Sequence, residues 1–424
     1  MTVNEPASAG AVEATAEHSP ARTLAEALAL LRTRRFGTFW FASLLSNIGG
    51  WAQQVAQPWL LLSIGASPFL VGVDAFAADA PVWLLTLTGG VLADRADRRR
   101  VITLFQSIQM ACPVLLVALL LTGTVQPWIV IATSLVVGVT DALSMPSFQS
   151  IVPTIVERER IAAGLALNST QFNLSRILGP ALAGVLMTTI GMVGCYTVNA
   201  LSYVPFILVA LWILPRRGPA VAADDGFDPR RPFAAAADIA RRPQLRGALL
   251  MVLVTGMFCG PLVTFCPVLV KQAFHGGAAR FSGAIAAFGI GGLLGATGLL
   301  AVDPRRDRRR IGSALALAYA AVVVAAALNP WAWALAPLLV LAGVGMSMSN
   351  TSANTFLLSA AEPALRGRTV SLYMLALRGG TSLGSLLTGV TVSRFGVREA
   401  LLLDGVAALA LHLLLRRWWL RPAR

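Results

Sequence analysis

The sequence predicts an all-α integral membrane protein whose twelve transmembrane helices form two pseudo-symmetric six-helix halves. Three observations carry this. Hydrophobic residues make up 56% of the 424 and charged residues only 13%, where ordinary globular proteins hold roughly a quarter charged residues; mean hydropathy is +0.71. Apolar runs of about twenty residues, the helix length that crosses a hydrocarbon core, recur along nearly the whole chain. A charged stretch, "GGVLADRADRRR" at residues 89–100, returns as "GLLAVDPRRDRRR" at 298–310, so that Asp97 and Asp307 are 210 residues apart, close to half the chain. Such a duplication is a signature of secondary transporters.

Apolar runs bounded by turn signals place the spans in order. In the first half they fall near 36–63, 68–92, 101–122, 127–151, 161–187 and 193–214; "ACPVLLVALLLTGTV" and "VNALSYVPFILVALWIL" belong to the third and sixth. In the second half they fall near 246–271, 280–302, 310–328, 331–358, 368–391 and 397–415, with "LAYAAVVVAAAL" in the ninth. Several exceed the minimum length, as tilted helices do. The organisation is then a tail at 1–35, a bundle at 36–214, a polar and proline-rich linker at 215–245, a second bundle at 246–415 and a tail at 416–424. Residues 1–20 read as disordered, and "LAEALALLRTRRF" as a short amphipathic helix on the membrane surface. The first 35 residues lack the pattern of a cleaved signal.

Cys112, Cys195, Cys259 and Cys266 lie singly in apolar runs, and His18, His275 and His412 do not pair. That pattern suggests neither a disulfide framework nor a metal site, and no cofactor is expected. Of 34 Lys and Arg, 28 fall in the tails, the linker and the loops after even-numbered spans; the loops after odd-numbered spans hold Lys271, Arg280, Arg394 and Arg398. The positive-inside rule places both termini in the cytoplasm. The net charge of +14 is thereby divided among loops beside the membrane, which favours anionic lipid over nucleic acid as its partner.

With "GGVLADRADRRRVI" placed in the cytoplasmic turn between spans 2 and 3, the sequence resembles the major facilitator superfamily at its loop 2–3 signature. Gly90, Leu92, Ala93, Asp94, Arg95, Arg98, Arg99 and Ile102 match; Asp97 stands where the general pattern has glycine. That departure is similar to the transmembrane secretion effector branch, which includes the enterobactin exporter. "FWFASLLSNIGGWAQQVAQPWLL", "SFQSIVPTIVERERIAAGLALNSTQFNLSRILGPALAG", "VNALSYVPFI" and, in the second half, "EPALRGRTVSLYML" agree with it.

The resemblance implies a cytoplasmic gate built on Asp94, Arg95, Asp97, Arg98 and Arg99, closing in one state and opening in the other. Physically, Gly90 lets two helices approach, and an acid such as Asp94 can cap a helix start or pair with an arginine across the halves. A basic topology anchor would explain the arginines alone. "SRILGPALAG" resembles the exporter-associated motif of the fifth helix through Gly179, Pro180 and Gly184, with Ser175 and Ala183 in place of glycines; it equally suits plain small-residue packing. "GIGGLLGATG", with Gly291 and Gly295, reads as helix packing.

Within the spans lie Asp74, Asp79, Asp141, Arg176, Arg378 and Asp404. Each would cost about 2.5–3.5 kcal/mol at a lipid-facing helix centre, so all are expected to face the bundle interior. Asp79, Asp141 and Arg176 fall at similar depth. The reading pairs Arg176 with Asp141 and leaves Asp79 to carry a proton, with the roles of the two acids open to exchange. Asp74 and Asp404, nearer the outer surface, are expected to be solvated. Asn47 and Gln54 share a face of span 1, with Gln57 to one side, and are candidates to line a cavity or to hydrogen-bond between helices.

The function expected is export of a small amphipathic molecule (a siderophore, another secondary metabolite or a drug) in exchange for protons, by a monomer in the cell inner membrane. A lysophospholipid or other lipid-like substrate is the alternative within transport, and a non-transporting sensor a further one. A membrane-embedded enzyme is disfavoured because no catalytic constellation is visible.

Overall fold

The fold was analysed in a computed structural model, which describes residues 29–95, 97–214, 242–301, 303, 307–361 and 366–420. The predicted linker and both tails lie largely outside these residues. Among them there is no strand, and twelve long helical rods follow one another, six in each half. We number them α1 (Arg34–Ser63), α2 (Pro68–Arg95), α3 (Arg98–Leu121), α4 (Pro127–Gln149), α5 (Ile161–Thr189) and α6 (Gly191–Ile213). The second half holds α7 (beginning with Pro243–Val254 and running to Ala273), α8 (Ala278–Gly298), α9 (Arg308–Leu328), α10 (Leu335–Ala360), α11 (Arg366–Phe395) and α12 (Val397–Trp419). Each predicted span coincides with one rod.

Among the described residues, seven rods are long and apolar enough to cross a membrane by length and composition alone: α3, α4, α6, α7, α8, α9 and α10. The others, α1, α2, α5, α11 and α12, carry five of the six intramembrane charges.

The two ends of the bundle are built differently. At one end the repeated charged turns start helices: Asp97 accepts a hydrogen bond from the Arg99 amide at 2.9 Å, and Asp307 one from the Arg309 amide at 2.9 Å. The echo in the sequence is therefore a repeated helix N-cap. In this form the Asp97 carboxylate is turned back onto its own helix, with Arg100 3.9 Å away. At the opposite end the turns are tight. Ile190 alone separates α5 from α6, and Gly191 takes φ +70°, a left-handed conformation that a side chain would oppose. Gly396 does the same between α11 and α12 at φ +97°.

Each helix of the first half contains an internal proline: Pro58, Pro81, Pro113, Pro146, Pro180 and Pro205. In α7 the regular pattern instead gives way to π-helical turns at Thr255–Cys259 and Leu269–Ala273. A π-turn displaces a carbonyl from its usual partner, and Tyr319 of α9 donates to the Cys259 carbonyl at 3.0 Å.

The packing shows how the halves meet. At the end away from the arginine turns, one apolar core runs through both halves, from Leu60, Leu61 and Tyr196 to Phe281, Val323 and Leu401. At the arginine end the described core divides in two. Phe36, Trp40, Ile102, Val152 and Phe206 form one cluster in the first half; Leu245, Met251, Leu357 and Tyr373 form another in the second. On the outside, Leu104, Trp128, Leu208, Leu328, Trp333 and Leu414 are more than half exposed, as expected where the solvent is lipid. Trp128, Trp331 and Trp333 at one end and Trp212 at the other sit near helix termini, the level of the membrane interface.

Candidate functional site

The two halves touch along a seam of small residues. A Cβ on Gly72 of α2 would lie 3.2 Å from Gly389 Cα and against the Ser385 carbonyl, both of α11. A Cβ on Gly184 of α5 would lie 2.9 Å from Ser282 Cβ of α8. Trp59 of α1 stacks on Phe281 of α8, with centroids 5.5 Å apart, and Lys271 Nζ of α7 donates to the Leu62 carbonyl of α1 at 2.6 Å. Of the fifth-helix motif, Gly184 thus serves the half-to-half contact, with Pro180 beside it along the same groove. Gly179 faces inward on its own half, where a Cβ would collide with Trp51 of α1.

Further along the α2–α11 seam, toward mid-depth, Arg378 donates to Asp79 at 2.6 Å. This corrects the sequence reading twice. Asp79 is not left without compensation, because α11 of the other half supplies the arginine. Arg176 does not pair with Asp141: its guanidinium lies 5.7 Å from the centre of the Trp51 ring, a cation–π arrangement made possible by the absence of a side chain at Gly179. Asp141 accepts from Gln109 Nε2 of α3 at 2.7 Å, and Gln109 also donates to Thr140 and accepts from Gln106. The charges of Asp79 and Arg378 both reach Asp141, and that of Arg378 reaches Arg176. Asp79, Asp141, Arg176 and Arg378, from α2, α4, α5 and α11, therefore lie in one region of the interior. Asp141 is exposed although it lies deep in the bundle, so it opens onto unfilled space there.

A second polar cluster lies nearer the opposite end. Asn199 of α6 donates to Gln53 at 2.5 Å, Gln53 to Gln57 at 3.4 Å, and Gln57 to both oxygens of Asp74 at 2.9 and 3.0 Å. Ser134 of α4 donates to Asp74 at 2.6 Å and touches the Gln57 amide. In the second half, Thr388 of α11 donates to Asp404 of α12 at 2.7 Å. Asp74 is 6% exposed and Asp404 9%. The expectation that both are solvated is corrected: proximity to a helix end does not expose a side chain that neighbouring helices cover.

Of the expected lining residues of α1, Gln57 belongs to this cluster. Asn47 is half-buried and Gln54 exposed, and the described residues place neither in a hydrogen bond. Gln53, Trp51, Gln109, Ser134 and Asn199 were not anticipated. The spacing of Gln53 and Gln57, one helical turn apart, was the available signal. Of the loop 2–3 motif, Arg98 reaches Thr154 at 3.4 Å, and Arg99 contributes its amide to the Asp97 cap. The side chains of Gly90, Asp94 and Arg95 lie outside the described residues. Among the described residues, no group of His, Cys, Asp and Glu side chains could hold a metal ion.

The transmembrane secretion effector family matches residues 25–424. The chain belongs to this family of major facilitator transporters. It is similar to the staphyloferrin A transporter of Staphylococcus aureus, 24% identical over 60% of this chain and 64% of that protein. It is likewise similar to the multidrug efflux pump Tap of Mycolicibacterium fortuitum, 27% identical over 63% and 67% of the two chains. The match to the staphyloferrin A transporter thus spans just under two thirds of that relative's length. The fold is similar to a bacterial homologue of the lysosomal transporter Spinster, solved in an inward-facing and occupied conformation, with TM-score 0.70 over 92% and 98% of the chains and 18% identity. The transmembrane secretion effector chain is thus a multi-pass membrane protein with the major facilitator fold.

Proposed function

We propose that this transmembrane secretion effector exports a small amphipathic molecule, a siderophore, another secondary metabolite or a drug, in exchange for protons and by alternating access. The relatives' names, a staphyloferrin A transporter and a multidrug efflux pump, support the substrate class. The observation that carries the mechanism is the Arg378–Asp79 bridge. It joins the halves through a carboxylate, so a proton arriving on Asp79 removes one partner's charge and loosens the seam. A proton on one face of the membrane thereby biases the equilibrium between the two access states. Arg176 and Asp141, within the same charge cluster, set the balance: when Asp79 is neutral, Asp141 is the acid left to compensate Arg378.

The protein acts as a monomer of the cell inner membrane, with both termini and the arginine turns in the cytoplasm. The single core at the outer end and the divided core at the arginine end support a form joined on the outside. Asp94, Arg95, Arg98 and Arg99 close the inner end in the other form. The chain is a carrier without a catalytic centre, and the ion gradient supplies its energy, about 2.3 kcal/mol per charge at 100 mV.

The test is Asp79→Asn in proteoliposomes, with substrate exchange and proton flux followed separately. Retained exchange with lost proton flux is the expected result. Proton-coupled transport at normal stoichiometry would eliminate Asp79 as the carrier.

A further inference from the structure

The bridge between Asp79 and Arg378 is one of three places where carboxylates bear on the α2–α11 seam. The cluster around Asp74 differs from it in one respect that matters: its donors are neutral. Gln57 Nε2 reaches both carboxylate oxygens and Ser134 Oγ reaches one, and among the described residues no arginine, lysine or histidine contacts it. A buried charge with no counter-charge is expensive. A carboxyl in such a place has two stable arrangements, an anion held by donors or a neutral acid, and we propose that Asp74 is a second proton-binding site of the transporter. The assignment rests on the proton-exchange reading given above and adds to it a site on the outer half of the seam.

The surroundings suit a proton better than a metal cation. The amides of Asn199, Gln53 and Gln57 run head to tail, each donating toward Asp74. Hydrogens therefore point at the carboxylate from α1 and α4, where a sodium ion would need oxygen lone pairs. From α6 the nearby titratable group is Tyr196, which is fully buried and, among the described residues, has no hydrogen-bond partner for its hydroxyl. An acid form of Asp74 turns one oxygen from acceptor into donor, and the Ser134 hydroxyl beside it can accept. From the other half, α11 presents the Ser385 carbonyl and Gly389, and α7 the ring of Phe265, to Gly72, two residues before Asp74; none of these titrates. The proton step balances simply: a carboxylate and an aqueous proton become a carboxylic acid, with no other bond changed.

The position gives the site its consequence. Gly72 and Gly389 mark a close approach of α2 to α11, and Asp74 lies within one helical turn of it. The next residue of α11, Thr388, is the donor to Asp404. A change of donor pattern at Asp74 therefore acts on the helix that carries both the seam glycine and the Asp79 bridge.

The experiment is infrared difference spectroscopy of the purified full chain through a pH titration, reading the carbonyl stretch of a protonated carboxylic acid. The wild type is expected to show titrating acid absorption with one component that Asp74→Asn removes and Asp79→Asn leaves in place. An Asp74→Asn spectrum whose titrating acid bands all match the wild type overturns the site. Should Asp74→Asn fail to fold, Ser134→Ala keeps the carboxyl and removes one donor; a shifted titration of the band supports the site, and an unshifted one overturns it. If sodium chloride in place of potassium chloride abolishes the band at fixed pH, the ligand is sodium and the proposal fails. Proton flux in wild-type proteoliposomes is measured alongside. Absent flux with a Asp74-dependent band sinks the exchange mechanism and leaves the site standing; present flux without that band does the reverse.

Discussion

Arg378 of α11 and Asp79 of α2 meet at 2.6 Å, 299 residues apart in the chain and in opposite halves of the bundle. The bridge predicts a non-additive pair. Asp79→Asn and Arg378→Gln each leave the other charge without its partner, whereas the double variant leaves none. The thermal midpoint in detergent should fall in each single variant and recover part of the loss in the double. Additive losses would mean that the bridge does not couple the halves.

The small residues of α8 make a sharper prediction. A Cβ on Gly291 would lie 2.9 Å from Val340 Cα and against its carbonyl, while one on Gly292 meets nothing within 4 Å. Gly291→Ala should destabilise by about 1–3 kcal/mol, the range for overpacking against something that cannot yield. Gly292→Ala should be neutral or slightly stabilising. Unfolding in mixed micelles compares them directly, and equal effects would contradict the α8–α10 packing.

The repeated caps can be separated from gating by the choice of substituent. Asparagine caps a helix as well as aspartate does, so Asp97→Asn should keep its stability while Asp97→Ala loses about 0.5–2 kcal/mol. At Asp307 the asparagine would keep the cap but lose the ion pair with Arg309, so Asp307→Asn should fall between wild type and Asp307→Ala. Burial alone would raise the Asp307 carboxyl, but the hydrogen bonds and charges of Arg309 and Arg310 outweigh it and hold the carboxyl below the ordinary 3.8. A depressed folded value means a contribution fully present above 3.8 and lost as pH falls through the lower folded value. The stability difference between wild type and Asp307→Ala should accordingly be constant near neutrality and shrink only in acid.

For the loop 2–3 motif, Asp94→Asn is expected to slow transport while leaving expression and substrate binding largely intact, since a gate contact acts on the conformational equilibrium. Transport at the wild-type rate by a well-expressed variant would count decisively against the gate.

Cysteine variants at Thr124 and Ala222 test the orientation. Ala66 is buried, so the exposed Thr124 of the turn after α3 serves as the outer position: an impermeant thiol reagent applied to intact cells should label a cysteine at 124 and spare one at 222. Labelling of position 222 from outside would reverse the topology.

The number, order and approximate ends of the helices were legible in the sequence because lipid imposes a length and a composition on each helix separately. A span can be recognised without knowing what lies beside it. The repeat of Asp97 as Asp307 was legible too, and a local structure, the N-cap, explains it. Which charge meets which was not. Arg176 was matched to Asp141 because their helices are consecutive, yet the arginine that reaches an acid is Arg378, brought from the other half by the α2–α11 contact. Depth along a helix can be counted in residues, but the direction of a side chain around the axis depends on which helices pack on which faces. For the same reason Asp74 and Asp404, close to helix ends by count, are buried by neighbours distant in sequence. Tertiary packing alone turned Arg176 toward Trp51, where the missing side chain of Gly179 lets the α1 backbone approach.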